Sequence, residues 1–236
     1  MNRRTLLTLS FALPCSAQFG KLLEKLGVKP ADSTTSDNKL VAGLKEALSV
    51  GATNAIKLTS LTDGYFKNEL IKILLPEKLK AVDKALHMLG MGKLVDDFVL
   101  SMNRAAEAAA PLAGNIFTTA ITSMTFDDAR KIFTGGETSA TDFFKVKTRD
   151  PLTTAFRPVI EKSMEENQTT RNFEALLNNA KKIPFFKTDF TDIQGYVTGK
   201  ALDGLFLMVG EEEKKIRKDP AARVTSLLKE VFGGGK

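Results

Sequence analysis

The sequence predicts an all-α protein: a single compact multi-helix domain of about nine helices, with room for one short extended segment near residues 69–75. Three observations carry that reading. Apolar residues recur at helical spacing in segment after segment, above all over residues 188–218 and 93–110. Asp-Pro and Gly-Gly pairs punctuate those segments where helices start and stop. On the longest pattern, at about 100° per residue, Leu202, Leu205, Phe206, Val209 and Ile216 share one face.

Residues 1–17 read as a cleaved export signal: Arg3 and Arg4, a short apolar run, then Cys15-Ser16-Ala17 as a small-residue cleavage site. That places the mature chain in the periplasm, and no later apolar run is long enough to span a membrane. Arg3-Arg4-Thr5-Leu6-Leu7 also resembles a shortened twin-arginine signal, so the export route stays open. A lipid anchor on Cys15 is the alternative, weakened by Leu13 one place late and by Pro14 where a small residue is wanted. Residues 18–38 hold a short amphipathic helix (Phe19, Leu22, Leu23, Leu26) and a polar linker of turn formers. The helical domain is expected over 39–236.

Within it, Leu40, Leu44, Leu48 and Ile56 face inward on a helix over about 39–58, and Asp63-Gly64 is a turn. I-K-I-L-L before Pro76 is ambiguous between helix and extended chain. Pro76 suits the first turn of a helix that Gly90-Met91-Gly92 ends. Val95, Phe98, Val99, Met102, Ala105, Ala106 and Ala109 then form a stripe whose second half is all small. Its expected partner is the glycine face at Gly195 and Gly199, because small faces let backbones cross closely. A helix follows from Pro111, and another from a Thr125 cap to Gly135-Gly136. One further helix holds Phe143 and Phe144, and Asp150-Pro151 opens the next, kinked at Pro158. Phe173, Leu176, Leu177 and Ala180 mark a helix stopped by Pro184, and the phenylalanines of the 184–190 loop read as core plugs. Asp219-Pro220 repeats the cap device ahead of a last helix with Val224, Leu227, Leu228, Val231 and Phe232.

Composition excludes several chemistries. Cys15 is the one cysteine and lies in the expected signal, so the mature chain has no disulfide, thiol nucleophile or thiolate metal site. The one histidine, His87, has neither H-E-x-x-H nor E-x-x-H spacing and reads as structural. No metal and no cofactor is expected. The formal charge of +6 loses two with Arg3 and Arg4. The remaining excess is too small and too evenly spread for nucleic-acid binding. Phe (16) far outnumbers Tyr (2) and Trp is absent, so the aromatics mostly fill space.

Three stretches, M-N-R-A-A-E-A-A (102–109), F-T-G-G-E-T-S-A-T-D-F-F (133–144) and K-A-L-D-G-L-F-L-M-V-G-E-E-E-K-K-I-R-K-D-P (200–220), resemble the bacterial domain-of-unknown-function family 4197. The resemblance runs over about residues 40–232. It implies an exported, mostly helical protein and supplies no activity. Residues 69–75 are less proline-rich than the family pattern implies.

The best polar constellation joins Asn103, Arg104 and Glu107 with Asp203, Glu213 and Arg217. Glu213 falls about 20° from Leu202 around the helix, inside the apolar stripe. A carboxylate there needs a partner, since an unpaired buried charge is very costly. Arg217, four residues on, is spaced to supply it. These six are the candidate ligand-binding residues, and a salt-bridge network fixing helix register is the structural reading of the same set. The Glu211-Glu212-Glu213 run with Lys214 and Lys215 is the pattern of a solvated face and lacks the oxygens of a Ca²⁺ site. Gly135 and Gly136 precede a helix start whose N–H groups can hold an anion. No catalytic residue is assigned. The expected function is non-enzymatic binding of an apolar or anionic small molecule, or of an envelope protein, in an interhelical groove. The alternative is a carboxylate-dependent hydrolase using acids of the 200–217 helix, which needs two acids across an open pocket.

Overall fold

A computed structural model describes residues 33–180, 192–223, 225, 226 and 229. The chain divides into two units, Met1–Lys39 and Leu40–Lys236. Of the first, residues 33–39 are described, and they are helical. Helix α1 is Ser33–Ser60, α2 Lys80–Met88, α3 Gly92–Ala109 and α4 Ala113–Thr122. Then come α5 Phe126–Thr134, α6 Ser139–Glu165, α7 Gln168–Ala180 and α8 Ile193–Lys218. Short 3₁₀ turns stand at Glu77–Leu79, Ala110–Leu112 and Pro220–Ala222. Every regular element among the described residues is helical, so the all-α class is correct. The export signal, the 18–27 helix, the 184–190 loop and the apolar face expected at Val224, Leu227, Leu228, Val231 and Phe232 lie outside the described residues.

The core is built on α6, which packs along α8, α3 and α4. The predominance of phenylalanine among the aromatics explains its filling: Phe98 stacks on Phe173 at 4.1 Å between centroids, and Phe117 meets Phe144 at 4.9 Å. Leu202, Leu205, Phe206, Val209 and Ile216 are all buried, as their periodicity requires. Thr125 opens α5 with a reciprocal capping box, its hydroxyl accepting from Asp128 N–H while the Asp128 carboxylate accepts from Thr125 N–H.

Three local expectations are corrected. Residues 33–38 of the expected linker are the first turns of α1. Asp150-Pro151 does not start a helix; both Pro151 and Pro158 lie inside a continuous α6. Its buried residues Ala140, Phe144, Thr148, Leu152, Phe156, Ile160 and Met164 recur every fourth position straight through both prolines. Each interior proline costs about 3 kcal/mol. Burying the five large apolar side chains of that stripe is worth about 7–15 kcal/mol, so tertiary packing wins. The hydroxyls of Thr153 and Thr154 donate back to the Arg149 and Asp150 carbonyls in the same turns.

The third correction concerns the glycine face. Ala105, Ala106 and Ala109 are fully buried, but a Cβ at Gly199 would meet nothing, and one at Gly195 would collide only with Asp192, whose carboxylate caps α8. The close approach is at Gly204, where a Cβ would stand 2.8 Å from Tyr65 Cε1 and 3.0 Å from Ile71 Cβ. Tyr65 is fully buried and donates its hydroxyl to the Ala201 carbonyl at 2.7 Å, so it has no room to retreat. Residues 69–75 turn through Ile71 and then run on without regular structure to Pro76.

Two alanine substitutions five residues apart on α8 should therefore move stability in opposite directions. Gly199→Ala should gain up to about 1 kcal/mol from helix propensity. Gly204→Ala should lose about 1–2 kcal/mol to overpacking against Tyr65 and Ile71. Thermal unfolding followed by circular dichroism reads both, and a shift of the same sign for the pair would refute the assigned contacts.

Candidate functional site

Glu213 sits where its position in the stripe puts it, buried on the inner face of α8. Its carboxylate accepts the backbone N–H groups of Ala140 (3.0 Å) and Thr141 (2.8 Å) and the Thr141 hydroxyl (2.8 Å). Those amides belong to the first turn of α6, and Thr138, the residue before that helix, offers no side-chain cap. A side chain from α8 therefore caps α6. Arg217 binds the same carboxylate through Nε (3.0 Å) and Nη2 (2.9 Å), and Nη2 also donates to the Ile132 carbonyl in the last turn of α5. One ion pair thus places a negative charge at the start of α6 and a positive one at the end of α5, each favourable to the helix dipole. The helix start that follows Gly135 and Gly136 thus receives a carboxylate from α8 at Ala140 and Thr141. Beside Glu213 is a void of about 20 Å³, water-sized.

A second network holds the irregular segment between α1 and α2. Glu107 Oε1 accepts from the backbone N–H of Tyr65 (3.1 Å) and Phe66 (3.3 Å). Its other oxygen accepts from Arg104 at 2.6 Å, and Arg104 reaches Asp63 at 2.6 Å. Asp63 is in the left-handed region at φ 69°. Hydrogen bonding to Lys67, then to Arg104, holds its carboxyl below the usual 3.8. One turn back on α3, the fully buried Asn103 pairs with Ile73 as a strand would: Ile73 N–H donates to Oδ1 and Nδ2 donates to the Ile73 carbonyl, both at 2.8 Å. Burial, helped by the charge of Glu107, pushes the Tyr65 phenol far up, so it stays a donor.

The six candidate residues therefore do not form one site. Asn103, Arg104 and Glu107 brace residues 63–73; Glu213 and Arg217 join α5, α6 and α8; Asp203 stands elsewhere, paired at the surface with Arg149 at 3.1 Å. The acidic run is not wholly solvated either: Glu212 and Glu213 are buried, with Glu212 accepting from Asn54 and Lys215. Asp63, Tyr65, Asn54 and Thr141 were invisible to periodicity, because each acts on a segment far away in sequence.

One of several open concavities lies on the other side of the braced segment. A groove of about 530 Å³ runs between α2, α3 and residues 66–75, with Phe66, Leu75, Val95 and Val99 as apolar lining and Lys72, Lys80, Asp83, His87 and Asp96 as polar lining. Lys80 is paired with Glu77 at 2.7 Å. Lys72 lies over the Phe66 ring, 4.6 Å from its centroid, with no acid beside it among the described residues. His87 is exposed; its Nδ1 donates to the Asp83 carbonyl at 3.0 Å and lies 2.9 Å from Asp83 Oδ1, which is buried without a hydrogen bond. The Asp83 carbonyl, above all, raises the His87 pKa, with the charges of Asp83 and Asp96 adding to it. Among the described residues no three His, Cys, Asp or Glu side chains converge as a metal site, and no helix is long and apolar enough to cross a membrane.

The fold and these networks define an all-helical protein whose buried acids are bound up in architecture and whose open groove carries polar groups around an apolar lining. The chain belongs to the family described as protein of unknown function (DUF4197), which matches residues 34–233. No curated protein and no solved structure matches it.

Removing the α6 cap should be costly. Glu213→Ala leaves two amides without a partner and Arg217 with only the Ile132 carbonyl, and should cost about 3–5 kcal/mol in urea unfolding. Adding Arg217→Met should cost less than the sum of the single changes, since the two side chains form one unit. Additive losses would show that the pair is not coupled. Asp63 gives a pH dependence. Its folded pKa is lowered, so the stability it contributes is present above the unfolded value near 3.8 and is lost as pH falls through the folded one. Asp63→Asn should flatten the stability profile in that acid window; an unchanged slope below pH 4 would contradict the assignment.

Proposed function

We propose that this chain is a non-enzymatic envelope protein that binds a small molecule in the groove between α2, α3 and residues 66–75. The observation that carries the reading is that groove: apolar side chains to bury a ligand body stand beside charged ones able to orient it, the two ingredients of a ligand site. Half-buried Lys72, without an acid, adds a reason for an occupant to be there. The hydrolase alternative draws no support. Glu107 and Glu213 direct their oxygens at N–H donors, and the space beside Glu213 holds no substrate. Residues 1–17 direct export, and the mature protein works in the periplasm. A lipid on Cys15 is the competing form.

Native mass spectrometry of the protein recovered from the periplasm tests all of this at once. The mature chain should begin after residue 17 and carry a co-purifying small molecule. Val99→Trp, which fills the groove, should lose that molecule while unfolding within a few degrees of the parent. A bare parent protein, or an adduct indifferent to Val99→Trp, would refute groove binding. A lipid mass on Cys15 would replace the soluble form with the anchored one.

A further inference from the structure

The polar groups of the groove are not mixed at random along it. Helix α3 gives the axis. Gly92, at its start, packs against the His87 ring, where a Cβ would stand within 2.8 Å of Nε2. Asp96 lies one turn on, close enough to raise the His87 pKa through its charge. Val95 and Val99 follow as apolar lining. Beyond them Asn103 holds Ile73, the residue after Lys72, and Arg104 faces Phe66, over which Lys72 lies. The acids Asp83 and Asp96 are therefore at one end and the unpaired ammonium of Lys72 at the other. Seven residues of α3 separate the levels of Asp96 and Asn103, about 10 Å at 1.5 Å per residue.

We propose, building on the groove-binding reading above, that the ligand is dipolar: an apolar chain about 10 Å long with an ammonium at one end and a carboxylate at the other. The carboxylate pairs with Lys72, which leaves the Phe66 ring to meet it. The ammonium pairs with Asp96. Its body lies over Val95, Val99 and Leu75. A fatty acid fits poorly, because its apolar end would lie against Asp96 and Asp83. An alkylamine fits poorly for the mirror reason at Lys72. Lys80 also lines the groove, and its exposed pairing with Glu77 at 2.7 Å offsets part of its charge there. His87 works against the ammonium when protonated, and its raised pKa makes that protonation set in at higher pH than for a free imidazole, so binding weakens as pH falls. Asp83, Asp96, Lys72 and Lys80 are the charged groups that line the groove with it. Two sources share this chemistry, a short apolar peptide with free termini and an ω-amino acid; three extended residues at about 3.3 Å each span the same distance.

Isothermal titration calorimetry on the full mature chain, at low salt and neutral pH, tests the proposal with four probes: 8-aminooctanoate, octanoate, octylamine and trileucine. The expected result is that 8-aminooctanoate or trileucine binds at least tenfold more tightly than either singly charged chain. The tighter of the two then names the source. Lys72→Met should erase the advantage over octylamine, and Asp96→Asn the advantage over octanoate. Lys72 is partly buried and Asp96 exposed, and circular dichroism checks that the variants fold. Octanoate or octylamine binding as well as 8-aminooctanoate, with Val99→Trp abolishing it, overturns the dipolar ligand and leaves groove binding standing. Absence of binding by all four probes, or binding untouched by Val99→Trp, overturns the dipolar ligand as well, and the co-purified mass then decides separately whether the groove binds anything.

Discussion

Backbone N–H groups that no neighbouring residue can satisfy govern this architecture. The start of α6 lacks a local cap, and the N–H groups of Tyr65, Phe66 and Ile73, outside any helix, are bonded by side chains of α3. Leaving a buried amide unpaired costs about 1–3 kcal/mol. Glu213, Glu107 and Asn103, each projected from the middle or end of a long helix, provide the acceptors. That explains why the inner faces of α3 and α8 contain polar residues at all. A wholly apolar stripe would pack more simply but would strand those amides.

The same arrangement decides where a ligand can go. With their acids committed inward, α3 and α8 present little free chemistry along their buried faces. The braced segment instead comes to rest beside the outer side of α3 with Ile73 and Leu75 turned in, while Lys72 and Leu74 reach the opposite side. Helix α2 is short and meets α3 across a tight turn at Gly90, so Val95 is buried at the groove floor while Val99 is covered only in part. The groove is thus a by-product of how the loop is held, and its polarity is set by which residues the loop and α2 happen to carry.

Much of this was legible in the sequence, and what was not has definite causes. Leu202 through Ile216 could be placed because periodicity reports burial directly, and the oddity of Glu213 within that stripe followed from the same arithmetic. Its partner on α6 could not be read, because nothing local links residue 213 to residues 140 and 141. The glycines misled for a different reason. Gly195 serves a cap and Gly204 a contact with Tyr65, so counting glycines on a face could not separate the two roles. At Pro151 the local start signal was genuine and was outweighed by a stripe at spacing four, also present in the sequence, that takes precedence once the core forms. Lys72 went unnoticed as a site residue, since a single lysine among isoleucines and leucines has no signature until the loop is placed.

One consequence of the Glu213 cap concerns time rather than space. The residue that completes the start of α6 lies 73 positions downstream of the amide it receives from Ala140. A ribosome makes the whole of α6 well before it reaches that glutamate, and any nascent fragment shorter than 213 residues has those amides open to water. The order of synthesis therefore withholds the final lock on this helix until residue 213 has emerged.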